Sequence, residues 1–201
     1  MATDLLGIIR NSKIVIVEVN EKMPIALGYE SHINISDVNY IIEGESPELA
    51  EFKAAPASPE DRRIAESIVD RIRNESTLQL GIGAVPNAIG GLLAESDIRD
   101  LGGHSEVIVD SFMNLYYAGK LTNKKKVDKG LTVYTAAVGS NALYDFIDDN
   151  PICCAAPVDY VNSVHTISQI DNFISINSCV GVDLYGQVCS ESSGFRQLTG
   201  T

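Results

Sequence analysis

The chain has 201 residues, is 45% hydrophobic and 21% charged, and carries a formal net charge of −12. That length supports one domain with a full core or two small ones, and the acidic balance excludes a phosphate-backbone binder, whose affinity rests on clustered Lys and Arg. No apolar run reaches bilayer-spanning length, and residues 1–13, with Asp4 early and few apolar positions, make a poor secretory leader, so a cytoplasmic location is the default expectation.

A helical-looking stretch, "DLLGIIRNS", precedes the β-branched run "KIVIVEVN" (13–20), and an alternating segment follows at 32–44. The Pro- and Ala-rich residues 46–61 resemble a linker. Ser58 then opens a helix as its N-cap, with Pro59 at the first position and Glu60 and Asp61 in the first turn, where the macrodipole favours acids. Ile64, Ile68, Val69 and Ile72 form the apolar stripe of that helix. Strands are predicted at 77–83, 106–110 and 131–139, and helices at 85–96, 111–121 and 140–150, the last capped by Ser140. Residues 171–192 predict two strands turning around "DLYG". Strands alternating with helices predict an α/β fold, a mostly parallel sheet flanked by helices, with an antiparallel hairpin near the C-terminus.

Cys153, Cys154, Cys179 and Cys189 show no CxxC spacing and are expected as buried free thiols. The basic run Lys124-Lys125-Lys126 is followed by Asp128 and is expected to be a solvated loop. In "LQLGIGAVPNAIGGL" (78–92) a strand enters Gly81-Ile82-Gly83 and then a helix near Pro86. Backbone N–H groups at such a turn, reinforced by the helix N-terminus, can hold a phosphate or an oxyanion. The spacing is neither a dinucleotide fingerprint nor a Walker loop, and a tight turn that needs Gly for steric reasons is the plainer reading.

In "LGGHSEVIVD" (101–110), Glu106 stands between an apparently flexible Gly-Gly step and an apolar run. His104, Glu106 and Asp110 do not have a recognisable metal-ligand spacing, and His32 and His165 bring no supporting motif. Two readings stay open for Glu106: a structural acid at a sheet edge, or a nucleophile or base at a strand mouth, which dry surroundings and aimed dipoles would make reactive. In residues 175–192, Asn177 could orient a substrate carbonyl in a cleft, or belong to an ordinary hairpin with Asp183, Gly181 and Gly186.

Three stretches in this order, "LQLGIGAVPNAI", "HSEVIVDSFMNLYYAGKL" and "FISINSCVGVDLYGQVCSES", resemble the acetyl-CoA hydrolase/transferase family, and within it the branch of 4-hydroxybutyrate and butyrate CoA-transferases. "VIVEVNEKMPIALG", "HINISDVNYIIEG", "YDFIDDNP" and "PVDYVN" extend the resemblance over nearly the whole chain. It implies a class I CoA-transferase-like half within enzymes roughly twice this length, built from two similar α/β halves. On that basis residues 1–57 are expected to be the end of a first half with its linker. Residues 58–201 are expected to be most of a second half, lacking a Gly-rich stretch that follows the closing "LTGT". Gly181 stands where the resemblance leads one to expect an acid.

The resemblance implies that Glu106 is the catalytic residue and that Gly81, Ile82 and Gly83 form the oxyanion and CoA-binding turn, with the N–H near Ile82 as donor; Asn177 is the weaker substrate-positioning candidate. It implies a ping-pong exchange between an acyl-CoA and a short-chain carboxylate through an acyl-glutamyl anhydride and a glutamyl-CoA thioester. It requires no metal and no cofactor beyond coenzyme A. Apolar surface left exposed in a partial chain separately predicts self-association as a homo-oligomer. An acyl-CoA hydrolase on the same scaffold, and a non-catalytic CoA-binding or association module, are the alternatives.

Overall fold

The computed structural model describes residues 5–52 and 56–198; residues 53–55 of the predicted linker and the closing 199–201 lie outside the described residues. Helix α1 (Leu5–Asn11) leads to a parallel pair, β1 (Ile16–Val19) and β2 (Tyr40–Glu43), whose side chains are largely exposed. Helix α2 spans Pro59–Val69, and its start is the predicted one. The Ser58 hydroxyl accepts from the Asp61 N–H at 3.1 Å, while the Asp61 carboxylate accepts from the Ser58 N–H at 2.9 Å. This reciprocal box satisfies two of the donors a helix start leaves open. The buried stripe is shifted from the predicted one: Ala65, Ile68, Val69 and Ile72 face the core and Ile64 is exposed.

Strand β3 (Thr77–Leu80) is followed by α3 (Ala84–Glu95), β4 (Gly102–Ile108), α4 (Asp110–Tyr117), β5 (Thr132–Ala137), α5 (Asn141–Ile147) and β6 (Cys153–Ala155). Two one-turn helices, α6 (Val158–Val161) and α7 (Val164–Ile167), precede β7 (Phe173–Ile176). The five strands β3 to β7 make one parallel sheet in the order β6-β5-β4-β3-β7. Beyond it lies the expected antiparallel hairpin, β8 (Gly181–Val182) with β9 (Val188–Cys189), and a second small one, β10 (Ser192–Ser193) with β11 (Arg196–Gln197). The turn around "DLYG" is held by the Asp183 carboxylate, which accepts from the N–H groups of Tyr185 and Gln187.

Side chains alternate across the sheet. Leu78, Leu80, Tyr134 and Ile176 face a layer of helices that supplies Ala65, Ile89, Leu93, Phe112, Leu115 and Leu143 to the main core, which Ile108 joins at the end of β4. Val133, Cys154 and Ala156 face the opposite side with Val161 of α6 and Tyr160. Each fully buried Leu or Ile contributes roughly 1.5–3 kcal/mol. The Gly-Gly step is not a flexible entry to β4: both glycines lie within the strand, because its packing leaves no room for a side chain. A Cβ on Gly103 would stand 2.7 Å from Thr132 Cγ2 and 3.3 Å from the Phe112 ring, and one on Gly102 2.8 Å from Thr77 Oγ1.

Three further readings are corrected. Cys153 and Cys154 are buried, but Cys179 and Cys189 are exposed. The basic run is not uniformly solvated, since Lys125 is buried and its Nζ donates to the Val127 and Asp128 carbonyls. The predicted linker is partly pinned. Phe52 N–H donates to Gly139 O at 2.9 Å and the Tyr144 hydroxyl to Ala50 O at 3.1 Å. Among the described residues, no helix is long and apolar enough to cross a membrane.

Candidate active site

In a parallel sheet every strand ends on the same side, and the functional candidates gather there because β3, β4 and β7 lie next to one another. Alternation brings Gln79 of β3, His104 and Glu106 of β4, and Phe173 and Ser175 of β7 to one face, with Asn177 just past the β7 end. Together with Val161, Asn162 and Ile167 they line a cleft of about 220 Å³. Its floor is a closed amide pair. Gln79 Nε2 donates to Asn177 Oδ1 at 3.0 Å, and Asn177 Nδ2 returns to Gln79 Oε1 at 2.9 Å. The Ser175 hydroxyl donates to the same Gln79 oxygen at 2.5 Å.

Glu106 is exposed, following the four buried residues that begin β4. The neighbouring Ser105 hydroxyl donates to Leu80 O at 3.3 Å, which keeps this part of β4 beside the end of β3. Glu106 Oε2 accepts from Asn162 Nδ2 at 2.6 Å, a short charge-assisted bond. His104, two residues earlier on the same face, is 1% exposed and lies 2.8 Å through Nε2 from the Val161 carbonyl. Burial holds its pKa below the usual histidine value; the bond to Val161 and the charge of Asp128 oppose that shift, and Lys125 adds to it. Asp110 is turned away from both: its carboxylate accepts from the N–H and hydroxyl of Ser140, the α5 cap. His104, Glu106 and Asp110 therefore do not converge as a metal site would.

The glycine turn has two different requirements. Gly81 donates its N–H to Ile176 O at 3.0 Å, and a Cβ there would lie 2.9 Å from Asn177 Oδ1. Gly83, the residue before α3, has φ +133°, a conformation that side chains resist. Among the described residues, no hydrogen bond engages the N–H of Ile82 or Gly83. These donors open the positive end of a twelve-residue helix.

The cleft thus unites two of the sequence candidates, Glu106 and Asn177. Gly81 borders it through Asn177, whereas Ile82 and Gly83 stand outside its lining, at the start of α3. Gln79, Ser175 and Asn162 were not singled out as candidates, and His104 was weighed only as a metal ligand. Gln79, His104 and Ser175 carried a legible signal: each is a polar residue standing two positions before a candidate, Gly81, Glu106 and Asn177. Asn162 carried none, because it reaches the site from a one-turn helix on another layer.

Comparison with known proteins bears on the chain as a whole. Residues 139–201 match the model of the acetyl-CoA hydrolase/transferase C-terminal domain. The chain is 48% identical to a butyryl-CoA:acetate CoA-transferase of Anaerostipes caccae, over 99% of this chain and 45% of that protein. It is 46% identical to a 4-hydroxybutyrate coenzyme A transferase of Clostridium kluyveri, over 94% of this chain and 44% of that one. Among solved structures, RipA from Yersinia pestis superposes with a TM-score of 0.87 at 39% identity, covering 92% of this chain and 42% of RipA. The chain spans less than half the length of these proteins. The chain is thus similar to CoA-transferases over nearly its whole length, and its residues 139–201 match the C-terminal domain of the acetyl-CoA hydrolase/transferase family.

Proposed function

We propose that this chain carries the nucleophile of a CoA-transferase exchanging CoA between a short-chain acyl-CoA and a carboxylate of the acetate, butyrate or 4-hydroxybutyrate type. The names of its relatives support the substrate class. The observation that carries the reading is Glu106, exposed on β4 in a cleft of amide side chains, with Asn162 on one carboxylate oxygen.

In this reading Glu106 carboxylate attacks the thioester carbonyl; the C–S bond breaks, CoA thiolate leaves and an acyl-glutamyl anhydride forms. The thiolate then attacks the glutamyl carbonyl. The anhydride C–O bond breaks, the first acid departs as carboxylate, and a glutamyl-CoA thioester remains. An incoming carboxylate reverses both steps and leaves with CoA. Each tetrahedral intermediate carries an oxyanion that fixed donors stabilise, and the unengaged N–H groups of Ile82 and Gly83 are our candidates. Asn177, held by Gln79 and Ser175, orients the acyl group in the cleft. The steps balance without a metal or redox cofactor.

The test is incubation with acetyl-CoA or butyryl-CoA followed by peptide mass mapping. A CoA adduct on the peptide containing Glu106, absent in Glu106→Gln, is the expected result; turnover that survives Glu106→Gln overturns the mechanism. The solvent exposure of Glu106 favours a second reading, acyl-CoA hydrolysis, in which water intercepts the anhydride. Free CoA accumulating without any acceptor acid identifies that outcome.

A further inference from the structure

We infer that His104 is a positioning residue: its Nε2–H holds the Val161 carbonyl, and so fixes the neighbouring Asn162 amide on Glu106. The inference rests on the reading of Glu106 as the nucleophile. Among the described residues, two hydrogen bonds join alternate residues of β4 to consecutive residues of the α6 segment: His104 Nε2 bonds to Val161 O, and Asn162 Nδ2 donates to Glu106 Oε2. A carbonyl only accepts, so Nε2 carries the hydrogen and the neutral ring leaves Nδ1 bare.

Apolar packing of Val161 against Val133, Cys154 and Ala156 seats the segment, and the His104 bond adds a directional contact at the carbonyl next to Asn162. Helices α6 and α7 have four residues each, far below the length at which a helix holds itself in water. Asn162 is exposed at the end of α6, where its own packing restrains it little. His104 is an unusual choice for mere filling. Among the described residues no protein group partners its buried Nδ1, a burden an apolar side chain at this position would not carry. What the imidazole supplies and an apolar residue lacks is the Nε2 donor. Phe173, edge-on at 6.0 Å between centroids, fixes the plane of the ring.

The experiment compares His104→Gln with His104→Asn. The Gln amide nitrogen reaches the position of Nε2, while the Asn nitrogen stops near that of Nδ1. The rate of CoA-adduct formation at Glu106 under saturating butyryl-CoA is expected to fall on the order of 10- to 100-fold in His104→Asn. His104→Gln recovers most of that loss. Asn162→Ala, at an exposed position, reproduces it, and the double variant His104→Asn/Asn162→Ala is no slower than either single one. Additive losses, or equal losses in the Gln and Asn variants, overturn the inference.

Nitrogen-15 NMR of the unsubstituted chain decides without activity. An Nε2–H tautomer is expected, together with an Asn162 side-chain amide signal that moves in His104→Asn and in Glu106→Gln. A hydrogen on Nδ1, or an Asn162 signal indifferent to His104, overturns it. Absence of any adduct on unsubstituted Glu106 defeats the catalytic reading alone, and the NMR result still decides whether His104 holds Asn162 in place.

Discussion

Gly81 and Gly83 flank one exposed isoleucine, and the same substitution at each has a different physical consequence. Gly81 has ordinary backbone angles and too little space; Gly83 has open space and an unfavourable φ. Gly81→Ala puts a methyl 2.9 Å from Asn177 Oδ1, so the amide must move and its bonds with Gln79 loosen. We expect Glu106 labelling to fall at least about tenfold while stability to urea changes by less than about 1 kcal/mol. Gly83→Ala should instead cost roughly 1–3 kcal/mol of stability, from backbone strain alone. Equal unfolding midpoints for the two variants would contradict this separation. The sequence exposed both glycines as a strand-to-helix turn, but not which of them was sterically confined. That depends on Asn177, ninety-six residues further along the chain.

Elements were legible where their signals are local. The start of α2 is such a case: Ser58, Pro59 and Asp61 supply a cap, a fixed φ and a returning carboxylate within four consecutive residues. Ser58→Ala removes the hydroxyl and should cost about 1 kcal/mol, read as a lower urea midpoint with an unchanged slope. A fall confined to the slope would point to the unfolded chain instead. Strand β4 is the opposite case. Gly102 and Gly103 look like a break, yet the strand begins with them because Thr132 and Phe112 occupy the space a side chain would need. Strand β6 was not predicted: its three residues are too few for a period to emerge. Helices α6 and α7, which bring Asn162 to the cleft, are one turn each and also escaped notice.

Across the whole molecule the parallel α/β architecture follows from the alternation of elements, but the strand order does not. The central position of β3 and β4, with β7 returning beside β3, creates the cleft, and no local pattern encodes it. The buried titratable groups predict how the molecule responds to alkali. Burial pushes the Cys153 thiol from an ordinary 9.0 up to about 12, so the unfolded chain releases that proton first. Stability from this group is complete below pH 9 and is lost as pH rises from 9 to about 12, at roughly 1.4 kcal/mol per pH unit. Lys125 acts oppositely. Burial lowers its pKa from 10.5 to about 8, so between those values the unfolded chain holds the extra proton and stability rises with pH. Between pH 9 and 10.5 the two slopes cancel, so these groups together give a plateau there and a decline above it, and Cys153→Ala should flatten that decline in a urea titration series. An unchanged alkaline slope in that variant would locate the titration elsewhere.

The two margins of the five-stranded sheet are finished differently. Along β6 the backbone of residues 27–29 lies against Ala155: Ala155 N–H donates to Leu27 O and Tyr29 N–H to Ala155 O, both at 2.8 Å. Gly28 alone permits that approach, since a Cβ there would fall 1.9 Å from the Ala155 oxygen. Along β7, no strand among the described residues covers the outer side. Deuterium uptake should record this asymmetry. The amide hydrogens of Ala155 and Tyr29 should survive for as long as the core does, whereas every second amide of β7 should exchange early, within a strand whose other amides remain protected.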